Sequence, residues 1–142
     1  MEQSDWKGQA PVGALVLRTL AMPRDTNPRG DIFGGWILSQ VDIAGSLLAA
    51  EVARGRTVTV SVADVVFRRP VSVGDTICVH AALVRVGRTS MDIKLEVWAR
   101  GLVHTFEPER EFVAEGVFRY VAIDDQGKPR PIADNPDFFS RP

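Results

Sequence analysis

Two hydrophobic periods divide this chain, and they change over at Gly55. Upstream, Ile37, Val41, Ala44, Leu48 and Val52 recur at helical spacing and predict one long helix from Gly34–Gly35 to about Arg54. Gly55 fits the position just past its end. Downstream the period is two. Val58, Val60 and Val62 alternate with Thr57, Thr59 and Ser61, which predicts a strand over 57–67. Further strands are read over 76–86, 90–100 and 111–123, with a short one over 14–21 before the helix. The alternation is cleanest over 90–100, where Met91, Ile93, Leu95, Val97 and Ala99 share one face.

A strand, a long helix and four strands on short links predict an α+β fold with an antiparallel meander. Between Ile32 and Ala50 the only ionisable residue is Asp42. A helix without a charged face is not built for water on any side. Either the sheet wraps it, or a second subunit covers what the sheet leaves. Residues 1–13 read as a flexible terminus, 14–124 as one domain and 125–142 as a loosely held tail rich in Pro and Asp.

Composition narrows the function classes. At 45% hydrophobic and 25% charged the 142-residue chain is ordinary globular material for one domain. A net charge of −1 offers no general nucleic-acid surface, so any anion site is local. The single Cys78 excludes an intrachain disulfide and a multi-cysteine metal site. No metal or cofactor is expected. The apolar run 32–50 has the length of a membrane span, but it holds three glycines, Ser39, Gln40, Ser46 and a central Asp. The expectation is a cytoplasmic protein with no integral membrane segment. Asp42 is the first candidate for chemistry, because a lone carboxylate in apolar surroundings is costly unless something uses or satisfies it.

The blocks LRTLAMPRDTNPRGDIFGGWILSQVD (17–42), GRTVTVSV (55–62), FRRPVSVGD (67–75), VGRTSMDIKLEVW (86–98) and FRYVAIDDQGKPR (118–130) closely resemble the YciA-type acyl-CoA thioesterases. That resemblance implies a hotdog fold, a curled antiparallel sheet of five to six strands around a central helix. It implies hydrolysis of acyl-CoA to free acid and CoA without a metal. It also implies a dimer with sheets paired edge to edge, assembled as a trimer of dimers.

On this resemblance Asp42 matches the catalytic carboxylate. It is expected to act as base for water, or to attack the thioester directly and form an anhydride. Gly34 and Gly35 open the helix, where free N–H groups hold a developing oxyanion; Gly35 is the expected donor. Asn27, in the DTNPRGD loop, is expected to orient water or thioester, unless it only forms an Asx-turn before Pro28. Arg68, Arg69, Arg88, Thr89 and Ser90 lie in turns and are candidates for CoA phosphates. Thr59 and Ser61 are candidates for the pantetheine arm. Two other readings remain open: a hotdog hydratase or dehydratase, which would pair a His with the carboxylate, and a non-hydrolytic acyl-CoA sensor.

Overall fold

One helix, α1 (Gly34–Ala53), lies across a five-stranded antiparallel sheet. The computed structural model describes residues 9–101 and 110–132. The strands are β1 (Ala14–Leu20), β2 (Thr57–Phe67), β3 (Asp75–Val86), β4 (Ser90–Gly101) and β5 (Glu111–Ala122). Their spatial order is β1-β3-β4-β5-β2, so the α+β class and the element order agree with the hydrophobic pattern.

The meander is incomplete. β3, β4 and β5 are consecutive neighbours, but β2 pairs with β5 at the far edge. The link 68–74 is therefore a crossing over the end of the sheet and not a hairpin. Arg69, within that crossing, pairs with Asp75 at the start of β3 (3.2 Å) and Glu111 at the start of β5 (2.6 Å) and so braces it against the sheet.

The core forms where the two periods meet. Ile37, Val41, Ala44, Ala49 and Val52 of α1 are buried, as are Met91, Ile93, Leu95, Val97 and Ala99 of β4. Each large aliphatic side chain so buried contributes roughly 1.5–3 kcal/mol. By length and composition α1 would suffice to cross a membrane, but here this face packs on the sheet.

Both ends of the domain are tied down further than the composition suggests. Val12 donates its N–H to the Glu96 carboxylate (3.0 Å), and the Gly13 carbonyl meets His80 Nδ1 (3.1 Å). At the other end Arg130 donates to the carbonyls of Ala53 (2.8 Å) and Ile123 (3.1 Å), closing the C-terminus of α1. Gly55 has to lack a side chain for this, since a Cβ there would come within 2.6 Å of the Arg130 guanidinium. The left-handed residue at the helix end is Arg54 (φ 52°) and not Gly55.

One chain does not cover its own helix. Ile43 and Leu47 remain 48% and 55% exposed. The edge strand β2 shows Val58, Val60, Val62 and Val66 to solvent as well.

Candidate active site

Asp42 sits two turns into α1, and two strands reach it. Thr59 of β2 donates its hydroxyl to Asp42 Oδ1 at 2.7 Å. Tyr120 of β5 donates to the same Oδ1 at 3.0 Å and lies 3.3 Å from the Asp42 carbonyl. Oδ2 accepts from no protein group among the described residues. The lone acid of the apolar run is thus half satisfied, with one oxygen held and one left over.

Tyr120 is fully buried. Burial, then the charge of Asp42 and the hydrogen bond to it, push the phenol well above its ordinary pKa, outweighing opposing contributions from Ser46 and Thr59. The hydroxyl therefore remains a donor throughout any working pH range. Gly45 makes its approach possible: a Cβ on Gly45 would fall on the Tyr120 hydroxyl and within 2.8 Å of its ring. Gly45→Ala is expected to force the phenol away from Asp42. The expected cost is about 1–3 kcal/mol of stability, as for other overpacked sites, together with lower turnover. Thermal melting and steady-state assays check both.

Thr59 and Ser61 lie on opposite faces of the sheet. The β2–β5 register shifts between them, so Thr59 faces Tyr120 while Ser61 faces the exposed Arg119. Directly opposed residues share a face of the sheet. Tyr120 reaches the helix, whereas Arg119 bonds Asp92 of β4 on the other side (2.7 Å). The bulge thus carries Ser61 away from Asp42.

The start of α1 is open. Its N-cap, Phe33, supplies no side-chain cap, and the first turn holds no acid. The first N–H groups of a helix have no partner within it. Gly35 faces open space, whereas Gly34 sits over the Phe67 ring, where a Cβ would lie 3.3 Å from Cζ. Asn27 forms the Asx-turn: its Oδ1 accepts from the N–H groups of Arg29 (2.9 Å) and Asp31 (3.2 Å). That leaves its amide NH₂ as the end able to donate outward. Gly35 and Asp42 are seven residues apart on one helix, about 10 Å along its axis.

The turn arginines differ in what they touch. Arg68 donates twice to Glu115 Oε2 (3.1 and 2.9 Å) and lies 5.0 Å over the Phe112 ring, itself stacked on Trp98. Burial pushes the Glu115 carboxyl up, but hydrogen bonds from Lys94 and Arg68 outweigh it and hold the group below its usual pKa. Arg69 braces the crossing described above. Arg88 is exposed in the β3–β4 turn, and among the described residues it is bonded through its backbone carbonyl alone, by Ile132 N–H (2.8 Å). The Thr89 carbonyl accepts from Ala122 N–H (2.9 Å), and the Ser90 hydroxyl accepts from Arg85 (2.9 Å). Among the described residues no group of three or more His, Cys, Asp or Glu is placed to hold a metal. His80 is bonded to Gly13, whereas among the described residues the side chains that donate to Asp42 are Thr59 and Tyr120; His104 lies outside the described residues.

Residues 29–103 match the family model described as the Thioesterase superfamily. The acyl-CoA thioester hydrolase YciA of Salmonella typhimurium is 53% identical over 122 residues, covering 86% of this chain and 92% of that protein. The chain belongs to the thioesterase superfamily, in its YciA-type branch. Solved structures of the superfamily agree. The hexameric thioesterase from Yersinia pestis is 49% identical with a TM-score of 0.82, over 89% of this chain and 100% of that one. The hexameric hotdog fold thioesterase of Campylobacter jejuni is 42% identical with a TM-score of 0.78, over 85% and 91%. The α1-on-sheet architecture of this thioesterase-superfamily chain is thus the hotdog fold.

Proposed function

We propose that this chain is an acyl-CoA thioesterase in which Asp42 is the general base. The observation that carries the reading is the carboxylate itself: Oδ1 is held by Thr59 and Tyr120, and Oδ2 is left to accept a proton. Water gives that proton to Oδ2 as its oxygen attacks the thioester carbonyl. The oxyanion that forms is met by the Gly35 N–H at the uncapped helix start; such a donor is worth about 2.7–4 kcal/mol in the transition state. Collapse of the tetrahedral intermediate breaks the C–S bond, and the thiolate of CoA takes up the proton. Asn27 uses its outward NH₂ to orient water or carbonyl. The hydratase reading lacks its histidine near Asp42 among the described residues, and the sensor reading has no support from relatives named as hydrolases.

Two subunits build each site. On one helix Gly35 and Asp42 stand about 10 Å apart along the axis, so a carbonyl held on the Gly35 N–H is better met by an Asp42 from a facing helix. A second copy, related by a two-fold axis, would bring its own helix start to the first copy's Asp42. The exposed β2 edge and the bare stripe of Ile43 and Leu47 are where that copy docks, and three such dimers make the hexamer. Of the arginines, exposed Arg88 is the one we assign to a CoA phosphate, with Thr89 and Ser90 beside it. Arg68 and Arg69 are already engaged by carboxylates.

The purified protein, given acyl-CoAs from acetyl to palmitoyl with a thiol reagent, is expected to release free CoA. No turnover with any chain length would overturn the assignment.

A further inference from the structure

The reaction as written uses Asp42, Gly35 and Asn27, and leaves the Tyr120 hydroxyl with no task. We propose that Tyr120 is a positioning residue: with Thr59 it locks Asp42 Oδ1 and so aims Oδ2 at the attacking water. The inference rests on the function proposed above and deepens it.

A carboxylate turns easily about its last side-chain bond, because that torsion is broad and roughly two-fold. A single donor on one oxygen acts as a pivot and leaves the other oxygen free to swing. Here two donors converge on Oδ1 from two different strands, at 2.7 Å and 3.0 Å. The phenol also lies 3.3 Å from the Asp42 carbonyl, which ties it to the helix backbone as well as to the side chain. Convergence of this kind fixes the carboxylate plane and leaves Oδ2 without a choice of direction.

Packing does not account for the hydroxyl. The ring stacks beside Phe118 at a centroid distance of 6.4 Å, in a core that a phenylalanine would fill equally well. The oxygen moreover occupies space that only a glycine at position 45 leaves open. A sequence built only for burial would have no need of either feature. The oxygen stands directly against the one carboxylate of the helix interior.

The test begins with Tyr120→Phe, which keeps the ring. The expected result is a fall in kcat of about 10- to 100-fold, the range a misplaced catalytic group produces. KM is expected within about twofold of wild type, since substrate contacts do not change, and the melting temperature a few degrees lower, since the ring still packs but a hydrogen bond to a carboxylate is lost. The second readout repeats the substitution in Asp42→Asn enzyme, with rates taken under single-turnover conditions at excess enzyme. There Tyr120→Phe is expected to have no further effect, because the group it positions has lost its function. Wild-type kcat in the single variant overturns the proposal. So does an equal proportional loss in both backgrounds, which would mark a purely structural role. If Asp42→Asn itself turns over normally, Asp42 is not the base and the proposed mechanism fails, and that result is read independently of Tyr120.

Discussion

Asp42→Asn is expected to lower kcat by about 10²–10⁴-fold, the contribution of a positioned general base, with the assembly and KM little changed. The substitution is nearly isosteric. Its side-chain oxygen would still accept from Thr59 and Tyr120, so the two strands keep their grip on the helix. What changes is the other end, where an NH₂ replaces the oxygen that accepts the proton. Losses confined to kcat are the mark of an interaction made only in the transition state. Thiol release with one good acyl-CoA, size-exclusion chromatography and a melting curve together check the claim. Turnover near the wild-type rate would remove Asp42 from the mechanism.

Much of this site was legible because its signals are local. Asp42 is conspicuous in a run with no other charge, and helical spacing puts Gly45 one turn on from it. Gly35, the candidate donor, stands out as one of two glycines ahead of a long apolar period. Tyr120 was not singled out, although alternation along FRYVA puts it on one face with Phe118 and Ala122. In sequence it reads as one more core aromatic. Only the register of β5 against β2 and the missing Cβ of Gly45 turn its hydroxyl toward Asp42.

The remaining differences come from partners distant in sequence. Ser61 was grouped with Thr59 by strict alternation, and one bulge separates them. Arg68 is a phosphate candidate in sequence, yet it bonds Glu115, 47 residues away and brought to it by the β2–β5 pairing. The same holds for the place of β2. A link of seven residues can close a hairpin or cross the end of a sheet, and nothing local in 68–74 distinguishes the two. Periodicity says which face of a strand is buried, but not which strand lies beside it.

Leu47→Asp is expected to break the assembly and, with it, the activity. Leu47 is 55% exposed in the single chain and Ile43, one turn before it, 48%. The β2 edge adds Val58, Val60 and Val62, exposed by 41%, 51% and 47%. A long apolar edge strand beside a bare helix stripe is a surface that water does not favour and a second copy satisfies. In a two-fold pair each new aspartate would be desolvated against the other subunit's identical stripe, at a cost of several kcal/mol. Within the chain the same change meets solvent, so far-UV circular dichroism should be unaltered. Light scattering on the eluted protein should then show species smaller than the wild-type assembly. Turnover should fall with it, because the proposed site takes Gly35 from one copy and Asp42 from the other. An intact assembly would show that the stripe is not the contact. Smaller species with full turnover would instead show that one chain carries a complete site, and would separate the docking surface from the chemistry of Asp42.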